Sequence, residues 1–214
     1  MDRRVALKGL GALGLVMVLP LGAQAAPVGT GGLGRGRYAR LRVVLEKTVF
    51  QFDVLSLDIR VDQATADRLE RMVKGREYSS KLERDVVSTV LEAETVYTAA
   101  KFLRGFGRDA FVEGVRVDLG RAYKGELIDR EEYLRVHREL PRWFAFLGDR
   151  GVRKGDWLYN RGDADGLRTV FVNGDGASLM DLTLPGRAPT RTLVACYLAP
   201  GGDLREPLVR SLFE

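Results

Sequence analysis

The chain has 214 residues, 45% hydrophobic and 29% charged, with a formal net charge of +5, one cysteine and one histidine. That suffices for one domain with a sizeable core, and it is the composition of a folded protein, not a disordered or fibrous one. A single cysteine excludes an internal disulfide and a thiolate zinc site. Cations scattered along the chain, with no basic face, give no argument for nucleic acid.

The first segment reads as an address, not as part of the fold. Arg3 and Arg4 make a positive start, Leu10 to Leu21 is an apolar run with Gly and Ala, and Ala23-Gln24-Ala25 offers the small-x-small pattern of a cleavage site. Arg3-Arg4-Val5-Ala6-Leu7-Lys8 resembles the twin-arginine export motif. The expectation is a signal peptide over 1–25, by the Tat or Sec route, and a periplasmic or extracellular protein with no membrane span after its removal. A retained anchor is the alternative, although the run is short and glycine-rich for a span. Cleavage after Ala25 removes Arg3, Arg4, Lys8 and Asp2, lowering +5 to +3. Residues 26–37, rich in glycine, are expected to form a flexible leader to a domain over 38–214.

Within that domain, Tyr38 to Val61 predicts two strands or one bent strand. Leu41, Val43 and Leu45 alternate with Arg40, Arg42 and Val44, and a more continuous apolar run follows from Phe50 to Ile59. Asp62 can cap a helix that ends at Gly75, and Ser80-Lys81-Leu82-Glu83 reads as a capping box for the next. The β-favouring Thr95-Val96-Tyr97-Thr98 argues for a strand over about Glu94–Arg104. Two helices follow, Asp109–Tyr123 and Asp129–Leu147, the second kinked or divided at Pro141. From Gly151 to Gly176 the chain reads as a β-hairpin: Trp157-Leu158-Tyr159, a loop over Arg161–Gly166, then Leu167–Val172 and the turn Asn173–Gly176. Ala177–Leu184 is a further strand or short turn, Thr190–Leu198 is apolar, and Leu204–Phe213 has the pattern of a closing amphipathic helix.

The order of these elements, with Gly151-Val152-Arg153-Lys154-Gly155-Asp156, Val172-Asn173-Gly174, and Cys196-Tyr197-Leu198-Ala199-Pro200-Gly201-Gly202 leading to Leu208–Leu212, resembles the chalcone isomerase-like family. Phe50-Gln51-Phe52-Asp53-Val54 with Leu57 stands where that family has its first long strand, and Phe102-Leu103-Arg104 where it has its middle strand and the turn into its helices. The resemblance, to an exported bacterial member, implies an α+β open-faced sandwich: a curved antiparallel sheet covered by a layer of helices. It also implies an apolar cleft between the layers, which holds a flavonoid in the plant enzymes and a fatty acid in non-catalytic relatives. The family's catalytic arginine falls on Arg40 or Arg42, its strand threonine on Asp53, and its tyrosine–asparagine pair has no match. An ionised Asp53 cannot donate a hydrogen bond.

The expected ligand is therefore a small apolar or amphipathic molecule, fatty-acid-like, with no cofactor, no metal and no catalytic residue assigned. Arg42 and Arg104 are candidate partners for a carboxylate, and Tyr97 and Tyr159 candidate ligand contacts. Against them stands the plainer expectation that strand arginines face solvent and strand tyrosines pack. His137 is isolated among charges, Asp163 and Asp165 lack the rest of a calcium loop, and Cys196 reads as a small core residue. Two rival readings are an isomerase of a conjugated carbonyl compound and a structural envelope protein with its cleft filled by side chains.

Overall fold

The computed structural model describes residues 28–47 and 52–214. The proposed signal peptide over 1–25 and Phe50-Gln51 lie outside the described residues, as does the side chain of Asp53. Among the described residues no helix is long and apolar enough to cross a membrane.

Six strands pair antiparallel in sequence order: β1 (Arg40–Lys47), β2 (Phe52–Val61), β3 (Val96–Phe102), β4 (Trp157–Gly162), β5 (Gly166–Val172) and β6 (Ser178–Pro185). Bulges at Leu45/Glu46 and at Phe171/Val172 bend the strands that carry them. Helices α1 (Gln63–Val73) and α2 (Ser80–Leu91) fill the β2–β3 crossover, and α3 (Arg108–Lys124) and α4 (Arg130–Trp143) fill the β3–β4 crossover. The apolar stretch after residue 187, given no element by its pattern, is α5 (Arg187–Tyr197), and a short α6 (Arg205–Arg210) closes the chain. The result is the α+β open-faced sandwich that the motif order implied.

Local chemistry accounts for most boundaries. Asp62 caps α1 by accepting from the Thr65 amide at 2.8 Å, and Asp129 caps α4 through the Glu132 amide at 2.8 Å. The cap of α2 lies one residue earlier than its motif suggested. Ser79, not Ser80, accepts from the Leu82 amide, and Glu83 is thereby freed to pair with Arg205 at 2.6 Å, joining α2 to α6. Residues 28–36, expected as a flexible leader, make specific contacts in the structure. Val28 is buried against Tyr97, Val170 and Val172, and Arg161 donates to the carbonyls of Gly29 and Gly31 at 2.8 Å each.

The core lies between sheet and helices, where Leu41, Leu57, Ile59, Leu69, Val86, Phe171 and Leu208 are fully buried. A smaller cluster, with Leu119, Ala122, Val136 and Ala195, joins α3, α4 and α5. Near one end of the sheet Asp156 is buried at 1% exposure and ties several segments together. Its carboxylate takes both arms of Arg150 at 2.7 and 2.8 Å, the Arg153 amide at 2.8 Å and the Gly174 amide at 3.2 Å. Burial alone would raise its pKa, but the Arg150 bonds and the two amides outweigh that and hold the carboxyl below the usual 3.8. Asp62 is held low in the same way, burial being opposed by bonds from Thr65, Thr95 and Glu94.

Because both folded values are depressed, this stabilisation is fully present above the unfolded value and is lost as pH falls through the folded ones. Asp156→Ala should lower unfolding free energy at neutral pH by about 3–5 kcal/mol, since it strands Arg150 and two amides. Denaturant titrations at pH 7 and at pH 3 check this, and the difference between wild type and variant should shrink at the lower pH.

Candidate functional site

The two layers do not meet everywhere. Between them is a cavity of about 400 Å³, floored by β3, β4, β5 and β6 and roofed by α3, α4 and α5. Ala100, Phe102, Leu158, Met180 and Leu182 supply the floor, and Phe111, Val115, Leu140, Trp143 and Leu193 the roof. Strand parity dictates which residues face it. Side chains alternate along a strand, so Ala100 and Phe102 look toward the helices while Tyr97, Ala99 and Lys101 look away.

The mouth is a rigid construction. Phe102 donates to the Asp156 carbonyl at 2.9 Å and accepts from the Gly155 amide at 2.8 Å. Four residues on, Phe106 and Val152 exchange backbone bonds at 3.0 and 2.9 Å. The tight loop between them carries Arg104, exposed at the rim beside Ala110 and Gly114 of α3. Gly151 lets this bridge form. Its φ is +63°, and a Cβ there would lie 2.5 Å from the Phe106 carbonyl oxygen. Below the rim the rings of Phe102, Phe106, Phe111, Phe144 and Phe171 pack edge-on or stacked, with centroids 4.7 to 6.2 Å apart.

Charge is handled unevenly around the wall. Arg135 reaches the cavity, but it is neutralised by two bonds to buried Glu132 at 2.8 and 2.6 Å, and Glu132 also accepts from Thr192 at 3.0 Å. Asp118 is paired with Arg121 at 2.9 Å. Arg104 has no ion-pair partner among the described residues, so it is the cation free to receive an anionic ligand. Deeper in, the floor carries Asn160 and Thr169, and Tyr197 descends from the last turn of α5. Burial pushes the Tyr197 phenol up to about 12 against a hydrogen bond with Thr98, so it is a neutral donor at physiological pH. Cys196 also lines the cavity, and burial lifts its thiol to about 12, which keeps it unreactive.

Of the four residues expected at a ligand, only Arg104 reaches this cavity. Arg42 is exposed on the other face of edge strand β1, its backbone amide bonded to Ser211 Oγ at 3.1 Å. Tyr97 and Tyr159 also lie on that outer face, in a cluster with Val28, Ala99, Val170 and Val172. Tyr159 stacks on Trp157 at 5.3 Å, and burial raises the pKa of both tyrosines, that of Tyr97 to about 12. The physical reason is parity: odd positions of β3 and β4 turn away from the helices. Sequence reasoning missed Asn160, Thr169 and Tyr197. The signal was there in β4 and β5, where a polar residue stands at inward parity among apolar ones. His137 rests against the Tyr133 ring at 5.7 Å, and Asp163 accepts from the Asp165 amide within the hairpin loop.

A second hollow, of about 580 Å³, opens between the α3–α4 turn and the start of α5. Its walls include Lys124, Glu126, Asp129 and Arg191, and it is a polar surface depression without the enclosed apolar floor of the first.

The fold is an α+β open-faced sandwich of the chalcone isomerase-like type, with an apolar cavity between its layers. Among solved structures it is similar to a fatty-acid binding protein of Arabidopsis thaliana. That likeness has a TM-score of 0.50 and 14% sequence identity, and covers 85% of this chain and 93% of the other. No protein-family model matches the sequence, and no curated protein matches it.

Gly114 makes a direct test of the cavity possible. It sits inside α3, lines the cavity, and a Cβ added there meets nothing within 4 Å. Gly114→Ala should raise unfolding free energy by about 0.5–1 kcal/mol through helix propensity alone. A thermal melt that falls instead would show that the space beside α3 is already filled.

Proposed function

We propose that the protein binds a small amphipathic acid, a fatty acid being the favoured class, and that it carries or stores this ligand without transforming it. The observation that carries the reading is an apolar cavity whose rim holds a cation, Arg104, with no ion-pair partner among the described residues. A tail in the cavity removes hydrocarbon from water, and Arg104 meets the carboxylate where solvent still reaches it. The structural neighbour, a fatty-acid binding protein, supports the same class of ligand. The reading of a cleft packed solid with side chains loses ground to the 400 Å³ of space between the layers.

An isomerase remains the second reading, favoured by one observation: a neutral phenol, that of Tyr197, lies inside the same cavity. Incubation with a chalcone distinguishes the two, and a carrier leaves the chalcone unchanged. We also infer export of the mature chain, on the strength of Arg3-Arg4 and Ala23-Gln24-Ala25. Amino-terminal sequencing of the protein from a periplasmic fraction should begin at Ala26.

Native mass spectrometry of protein purified from a bacterial host should show one acyl chain per molecule, released on lipid extraction. Arg104→Ala should weaken binding of a long-chain acid about three- to tenfold, in line with a rim charge, whereas Arg42→Ala should leave it unchanged. Gly114→Leu should close the mouth and remove binding while the thermal midpoint holds. A protein that comes out with no acyl chain, and shows no affinity for oleic acid in titration, would overturn the proposal.

A further inference from the structure

The two edges of the sheet are finished differently. At one edge β1 exposes Arg40 and Arg42, α6 packs against it, and the Arg42 amide donates to Ser211 Oγ at 3.1 Å. Charges and covering segments of this kind keep an edge strand from pairing with another chain. At the other edge β6 has little of either. After a bulge at Leu179 it runs in regular register with β5 from Met180 to Pro185, and its proline is the last residue. Its one charged residue is Asp181, which Arg168 of β5 already neutralises through two bonds at 2.9 and 2.6 Å. Among the described residues no strand pairs with the outer side of β6. Such an edge presents a row of backbone donors and acceptors to any strand that fits it.

The strand that fits is its own copy, because the regular stretch is symmetric about Leu182. Asp181 and Thr183 flank Leu182 on the outer face of the sheet, opposite Val170 and Arg168, while Met180 and Leu184 lie beyond them on the cavity side. Turned by a twofold axis at Leu182, this stretch meets its image with apolar opposite apolar and polar opposite polar, which is what an isologous interface requires. Met180 then stands opposite the partner's Leu184, and Asp181 opposite the partner's Thr183, so that no like charges meet. We propose that the protein dimerises through β6, two copies pairing antiparallel so that their six-stranded sheets join edge to edge. The pairing also serves the cavity. Met180, Leu182 and Leu184 line it yet remain half-buried, and the partner's same three side chains continue the apolar floor across the joint. The inference stands on the edge alone and does not depend on which ligand the cavity takes.

The test is sedimentation equilibrium of the purified protein over a range of concentrations, with wild type expected to reach twice the mass of one chain. Thr183→Asp sets a carboxylate opposite the partner's Asp181, twice over by symmetry, and should raise the dimer dissociation constant about tenfold. Within its own chain the same change places an acid opposite Arg168 at an exposed position, so the fold itself is not weakened. Adding Asp181→Asn to it removes the like charges and should bring the constant back to within about threefold of wild type. Hydrogen exchange of wild type reads the joint without any variant: amides of Met180–Leu184 should gain protection as concentration rises. A wild type that stays monomeric at every concentration overturns the inference. So does a dimer that Thr183→Asp leaves unmoved, or one that forms with no gain in protection along β6, because its joint then lies elsewhere on the surface.

Discussion

The buried carboxylate of Asp156 is the constraint on which the site depends. Four donors converge on it, and they come from three separate stretches: the end of the α4 crossover, the turn into β4, and the turn between β5 and β6. Its own backbone carbonyl then accepts from Phe102, fixing the last residue of β3. One residue thus sets where the sheet stops and where the mouth loop begins. The Phe106–Val152 bridge completes the frame from the other side. Arg104 is held between two pinned phenylalanines, so its side chain can move while its origin does not.

A cavity is expensive for a protein of this size. At roughly 24 cal/mol per Å³, a sealed dry void of about 400 Å³ would cost on the order of 10 kcal/mol, comparable with the whole net stability of a domain. The structure avoids that cost by leaving the cavity open at Arg104, Ala110 and Gly114, so that solvent or ligand occupies it. Leu41, Leu57 and Ile59 of β1 and β2 are fully buried together with Leu208 of α6. The cavity shares its walls with the core, but Gly114, where an added Cβ meets nothing within 4 Å, can change without unsettling it.

Helix starts were legible in the sequence because capping is local chemistry: Asp62 and Asp129 act as their positions suggested. Strands were legible by composition, but the face each side chain would take was not. In β3 both faces are buried, with a burial pattern almost unbroken from Val96 to Phe102, so alternation left no trace of inside and outside. Tyr97 and Tyr159 were attractive as aromatic residues, yet they fell on the outer face beside Val28. Arg42 followed the alternation of β1 into solvent, as the plainer expectation had it. Arg104 reached the cavity because it lies beyond the strand end, where parity no longer governs direction. Tyr197 was hidden for another reason. Its run from Thr190 to Leu198 is apolar enough to bury on every side, and only the packing of α5 over β4 and β5 selects which residues look down.

The division of labour between rim and floor follows from dielectric. Arg104 is exposed, so its attraction for a carboxylate is screened by water and is worth about 1 kcal/mol or less. Most of the affinity must come from apolar surface covered by the cavity, at about 25 cal/mol per Å², and that contribution grows with chain length while ignoring chain chemistry. Neither effect distinguishes one long acid from another of similar size. Discrimination can only come from groups that are dry and directional, and the bonded row of Thr169, Asn160 and Thr98 across the sheet is one such set.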